Sequence, residues 1–178
     1  MLNQRIGMPQ RIDEKFFTRD VLDVAPDLLG NVLVRRTENG NMSRHIITEV
    51  EVYRGEDDLA CHACKGRTKR TEMMFAKGGC LYIYLIYGIH WMMNIVTGGE
   101  GNPQAVLIRG LDVFDGPGKL TKGLNIDKSF NGELLVSSQR VWVEPANQKY
   151  QVFTGPRIGI DYAGDYWAKI PWRYWINF

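Results

Sequence analysis

Apolar and polar positions alternate most regularly over residues 46–53, IITEVEVY, where β-branched residues recur with acidic residues between them. A period of two in that composition predicts a strand. On it Thr48, Val50 and Val52 face one way, and Glu49, Glu51 and Tyr53 the other. Neighbours on one face are about 7 Å apart. A carboxylate and a phenol therefore stand together where Gly55 releases the chain into a loop. Residues 81–87, LYIYLIY, predict a second strand, dense in aromatics. Gly88 permits a turn before the chain resumes through Trp91, Met92, Met93 and Asn94, which predicts a hairpin with Tyr87 near its tip. An aromatic at a tip is poorly placed for a core and well placed to push into a partner. The competing reading makes Tyr82, Tyr84 and Tyr87 ordinary sheet aromatics.

Residues 18–29 put Val21, Leu22, Val24, Leu28 and Leu29 on an apolar stripe, which predicts a helix with Thr18 as its cap, Asp20 in its first turn and Gly30 as its stop. Residues 31–36 follow as a short strand, and the Asn-Gly within residues 38–41 predicts a tight hairpin into the strand of Glu51. Residues 96–104 read as a Gly-rich turn, residues 105–109 as a short apolar strand ending in Arg109, and Pro117 as the first turn of a middle helix. In the final third, β-rich pieces at 134–136, 141–143 and 158–160 alternate with turns, and Tyr162, Tyr166, Trp167, Trp172, Tyr174 and Trp175 are expected to close the core. This order of elements is α+β, and 178 residues supply one well-buried core, hence one domain over residues 1–178.

Composition adds bounds more than direction. With 44% hydrophobic and 24% charged residues the chain is of ordinary globular type, and a net charge of +2 is weak evidence for a polyanionic partner unless the cations cluster. They do cluster: residues 62–77 carry Lys65, Arg67, Lys69, Arg70 and Lys77 against Glu72 alone. This stretch is a candidate phosphate-contacting surface, with Arg67, Lys69 and Arg70 as the backbone-phosphate residues; a solvated charged loop is the alternative. Glu56, Asp57 and Asp58 read as a solvated loop or helix start. The first residues, MLNQRIGMPQRIDEKFF, lack a signal-like apolar run, and the most apolar stretch, 81–96, is broken by Gly88 and His90 well short of the ~20 residues of a membrane span. An intracellular protein with no membrane association is expected. Three cysteines cannot pair completely, which agrees with a reducing compartment. Cys61, His62 and Cys64 invite a zinc reading, but zinc deaminases need H-x-E with a distant C-x-x-C, so no metal is expected.

Several segments in one order carry a resemblance: E-x-Y-x-G at Glu51 to Gly55, "ACHA" around His62, "GRT", "MMF", "LYIYLIYGIHWMMN", "AVLIRG", "GPGKL", "PRIGIDYAGDYWAK" and "PWRYW". Together they span nearly the whole chain and resemble the alkyladenine (3-methyladenine) DNA glycosylase family. The resemblance implies a single compact mixed domain with a curved antiparallel sheet, flanking helices and a protruding β-hairpin. It implies a base excision repair enzyme that flips alkylated or deaminated purines out of double-stranded DNA and hydrolyses the N-glycosidic bond, leaving an abasic site. By similarity Glu51 activates the water, Arg109 helps hold that water, Tyr53, His62 and Tyr84 surround the flipped base, Asn94 screens the purine for an unwanted exocyclic amino group, and Tyr87 fills the vacated space from the minor groove. Cys61 and Cys64 match no functional position and are expected to be small buried hydrophobes. No lysine or N-terminal proline stands where a nucleophile would be, so a monofunctional, water-only mechanism is implied, with no cofactor and a monomeric enzyme.

The chemistry of the residues points the same way. Breaking the bond to C1′ passes through an oxocarbenium-like sugar, and one carboxylate on the sugar side can both deprotonate water and stabilise that cation. Alkylated purines are cationic, and aromatic faces bind such rings by stacking and cation–π attraction. Glu49, two residues from Glu51, is the rival base, and an exposed strand acid in an ion pair is the plain alternative for Glu51. Two other classes fit parts of the pattern: a non-catalytic module that binds distorted DNA or RNA, and a small-molecule hydrolase or deaminase with a metal at Cys61–Cys64.

Overall fold

The strand read from alternation is the hub of the computed structural model, which describes residues 10–177. Among these residues nine strands form one antiparallel sheet: β1 (Val32–Arg36), β2 (Met42–Arg54), β3 (Leu81–Ile86), β4 (His90–Val96), β5 (Gln104–Leu111), β6 (Phe114–Asp115), β7 (Val141–Glu144), β8 (Val152–Gly155) and β9 (Arg173–Ile176). The main path is β3-β4-β5-β2-β1-β7, with β6 added to β5, β9 to β2 and β8 to β9. Four helices accompany them, α1 (Glu14–Phe17), α2 (Val21–Leu28), α3 (Pro117–Gly123) and α4 (Gly164–Lys169), so the fold is α+β. The first half of β2 pairs with β1 and its second half with β5, while Glu49, Val50 and Glu51 also pair with β9. The stretch that carries Glu51 is thus flanked on both sides by backbone ladders.

Local chemistry explains most boundaries. Gly40, at φ +82°, and a Gly40 N–H bond to the Thr37 carbonyl close the expected β1–β2 hairpin. Helix α2 starts later than expected. Its cap is Asp20, whose carboxylate accepts from the Leu22 N–H at 3.0 Å, and Thr18 instead ends the one-turn α1, which is too short to leave a periodic signal. Val21, Val24, Ala25 and Leu28 form the buried face of α2, against β2, β5 and β9. Pro26 lies inside the helix and lacks the N–H that would bond the Leu22 carbonyl, and Gly30 turns the chain at φ +82°. Pro117 opens α3 as expected.

The C-terminal third departs furthest from expectation. Residues 141–143 do become β7, but 158–160 are irregular, and 134–136 contribute only an isolated bridge between Leu134 and Cys80. Strands β8 and β9 arise where no alternation was legible. Trp167, Trp172, Tyr174 and Trp175 are half-buried, whereas Tyr162 and Tyr166 are each 72% exposed and do not close the core. The first nine residues, on which the no-signal reading mostly rests, lie outside those described. Among the described residues no helix is long and apolar enough to cross a membrane.

Candidate active site

Two register shifts set the site's geometry. Ile47 pairs with Leu111, Glu49 with Gly110, and Val50 with Ile108, so Thr48 on β2 and Arg109 on β5 have no partner in the ladder. Arg109 therefore does not end its strand, as expected, but sits at an irregularity inside it, and bulges of this kind re-aim side chains. Its Nε lies 3.2 Å from Glu49 Oε1 and 3.5 Å from Glu51 Oε1. Gly110 beside it leaves little room for a side chain, since a Cβ there would stand 3.0 Å from Thr48 Oγ1 and 3.1 Å from Glu49 Cβ. From Glu49 onward the period-two reading holds: Val50 and Val52 join the core, and Glu51 and Tyr53 share the opposite side.

Glu51 is 0% exposed, so it is not an exposed strand acid. Its Oε1 accepts the Ile158 N–H at 2.7 Å and its Oε2 accepts the Tyr53 hydroxyl at 3.0 Å. Burial raises its pKa, against the lowering effects of Arg109, the Ile158 N–H and Tyr53; Glu49 adds a further upward push. Glu49 is held differently, between Arg109 and Arg173, whose Nη1 is 3.1 Å from Glu49 Oε1.

A small cavity opens against Tyr53, the residue that bonds Glu51. Tyr53, His62, Tyr84 and Asn94, the four residues expected around a base, all line it, as do Ala60, Met74, Tyr82 and Tyr162, which were not foreseen. Tyr82 was within reach of the alternation, since it precedes Tyr84 by two on β3. His62 stands on a 3-10 turn, His62–Lys65; its Nδ1 shares a 2.9 Å hydrogen bond with Tyr82 Oη and its ring meets Tyr84 edge-on at 4.5 Å. Burial, with Arg70 and Lys65 nearby, pushes His62 down to about 4, while burial pushes Tyr82 up to about 12 and Tyr53 and Tyr84 upward too. At neutral pH the walls are thus uncharged. Asn94, on β4, is buried and donates its Nδ2 to the Tyr82 carbonyl at 3.1 Å.

The β3–β4 hairpin ends in a turn in which Tyr87 has φ +50° and Gly88 φ +70°, closed by the Ile89 N–H to the Ile86 carbonyl. Tyr87 is 87% exposed, so it is no core aromatic. A bulky residue in the left-handed region is disfavoured, and nothing in the packing repays it here. The basic stretch is less uniform than its sequence. Arg67 is paired with Glu72 at 2.6 Å and Lys77 with Glu14 at 2.9 Å, Lys69 is exposed, and Arg70 lies 5.8 Å over the Tyr84 ring. Of the expected solvated acids, Asp58 is fully buried, paired with Arg157. Cys61 is buried as expected, its thiol pushed up to about 12, whereas Cys64 is only half-buried. Among the described residues no group of three His, Cys, Asp or Glu could hold a metal ion, and Cys61–Cys64 gathers no such set.

The chain as a whole is similar to known proteins. A family described as methylpurine-DNA glycosylase matches residues 15–116 and 111–178. The chain is 40% identical to a candidate 3-methyladenine DNA glycosylase of Natranaerobius thermophilus, over 94% of this chain and 96% of that protein. It is 43% identical to one from Psychrobacter cryohalolentis, over 86% of each chain, and 42% to one from Myxococcus xanthus, over 93% and 90%.

Proposed function

The chain belongs to the methylpurine-DNA glycosylase family and is a DNA repair glycosylase, and on that footing we propose that it flips alkylated or deaminated purines into the cavity beside Glu51 and hydrolyses their N-glycosidic bond. The observation that carries this reading is Glu51, one fully buried carboxylate bonded to a cavity wall, Tyr53, and within reach of Arg109. In the reaction Glu51 accepts a proton from water, the water oxygen bonds to C1′, and the C1′–N bond breaks with its electron pair going to the base. A cationic alkylpurine leaves neutral, so it needs little acid catalysis. The negative charge of Glu51 stabilises the developing oxocarbenium, and its raised pKa makes it a better base than an exposed glutamate.

The walls suit a cationic guest. Tyr53, Tyr82 and Tyr84 offer π faces, and a neutral His62 adds no repelling charge. Asn94, buried at the cavity wall, screens the purine edge. Tyr87 is the wedge: its exposure and its left-handed backbone are unexplained by stability and fit a side chain that fills the gap left by an extruded nucleotide. Lys69 and Arg70 lie toward the DNA backbone; Arg67 contributes less, being neutralised by Glu72. The enzyme acts as a monomer on double-stranded DNA inside the cell, by water attack alone.

The test is a panel of single-lesion duplexes carrying 3-methyladenine, 7-methylguanine, hypoxanthine or ethenoadenine, assayed for abasic sites with the wild-type protein and Glu51→Gln. Release of at least one lesion, lost in Glu51→Gln while lesion binding persists, is expected. Undiminished release by Glu51→Gln would move the base to Glu49.

A further inference from the structure

We infer that the buried Asp58–Arg157 pair is the positioning device of this site, holding Glu51 and Tyr53 in their working geometry although neither of the pair lines the cavity; the inference rests on Glu51 being the general base.

Both side chains are 0% exposed, and the guanidinium meets the carboxylate as a fork, Nη1 to Oδ2 at 2.6 Å and Nη2 to Oδ1 at 2.9 Å. Each partner then reaches the site. Asp58 Oδ2 accepts the Arg54 N–H at 3.2 Å and Oδ1 the Ala60 N–H at 3.0 Å, tying the end of β2 to the cavity wall. Arg157 Nη1 also donates to the Val52 carbonyl at 2.9 Å, on the residue between Glu51 and Tyr53. The guanidinium carbon lies 5.0 Å from the Tyr53 ring centroid and 5.1 Å from that of Trp172, supporting the phenol. The next residue, Ile158, gives its N–H to Glu51 Oε1 at 2.7 Å.

That N–H has no strand to hold it, since residues 156–160 are irregular and the Ile158 side chain is half exposed. The segment is fixed by Arg157 and by Arg173 Nε on the Pro156 carbonyl at 2.9 Å. Stability alone is a poor account of such a pair, because well-packed apolar residues do as well in a core, and because Arg157 Nε is buried with no hydrogen-bond partner. What the pair supplies is orientation around one carboxylate.

Removing one partner would strand a buried charge and endanger the fold. The test therefore uses the paired apolar variant Asp58→Leu/Arg157→Met and the conservative Arg157→Lys, with Glu51→Gln alongside, all checked by thermal melting. Single-turnover excision by the paired variant is expected to fall about 10- to 100-fold, the scale of a misplacement of about 1 Å. Lesion-duplex Kd should change far less. The acid limb of its rate profile should move to higher pH, because Glu51 loses the N–H that lowers its pKa. Arg157→Lys should show the same displacement in smaller degree, and it decides alone if the paired variant does not fold. A rate and acid limb unchanged in the folded variants would overturn the inference. An active Glu51→Gln would instead remove the general-base reading beneath it, whatever the pair does.

Discussion

Tyr53 donates its hydroxyl to Glu51 Oε2 over 3.0 Å, so a wall of the cavity and the carboxylate beside it are joined by one hydrogen bond. Tyr53→Phe keeps the ring and removes that donor. A hydrogen bond to a charged group is worth roughly 1.5–3 kcal/mol. Excision should fall about 10-fold or more, with lesion binding nearly unchanged, in single-turnover kinetics at saturating enzyme. A loss confined to binding would mean that the phenol serves the base and not the carboxylate.

Glu51 gives a prediction in pH. Its pKa is raised by burial, so the acid limb of the excision profile should lie above the ordinary 4.5. The same shift acts on folding: a carboxyl that is harder to ionise when folded stabilises the fold when protonated, fully so below 4.5, and that contribution is lost as pH rises through the folded value. Glu51→Gln should therefore raise Tm at neutral pH, by about 2–4 °C per kcal/mol recovered, and the gain should shrink in acid. Calorimetry at pH 7 and pH 4 measures it; a lower Tm at pH 7 would show that the Tyr53, Ile158 and Arg109 contacts outweigh desolvation.

Tyr87 separates function from stability. At φ +50° and 87% exposed, its replacement by glycine relieves a conformation costing about 1–3 kcal/mol and removes no packing. Tyr87→Gly should melt no lower than the wild type. Excision from a paired duplex should nonetheless fall, most for stably paired hypoxanthine and least for an unpaired lesion, where flipping is already easy. Equal losses on both substrates, or none, would deny it the role of wedge.

Asn94 should govern choice more than rate. Its Nδ2 is held by the Tyr82 carbonyl, which fixes the rest of the amide at the cavity wall. Asn94→Ser should change the ratio of activities on adenine-like and guanine-like lesions by about 10-fold while the better substrate is little affected. A uniform decrease across the panel would make it a structural residue.

The neighbourhood of Glu51 and Tyr53 on one strand face, the hairpin that exposes Tyr87 and the α+β class were all legible in the chain, because alternation and turn chemistry act between residues close in sequence. The helix cap was misread for the same local reason, two candidate caps standing two residues apart. Nothing in the sequence indicated that Arg109 would stand unpaired in β5, since a register shift depends on the partner strand. Nor could it place Ile158 on Glu51 or Arg157 on Asp58, contacts that join positions 107 and 99 residues apart. Composition made Asp58 a surface acid and Tyr162 a core aromatic, and the structure reversed both, because burial is decided by what the rest of the chain places opposite a residue. The sequence by itself determined that Glu51 and Tyr53 share a strand face and that Tyr87 stands at a hairpin tip; the distances across the candidate site, and with them the burial of Glu51, came only from packing segments remote in the chain against one another.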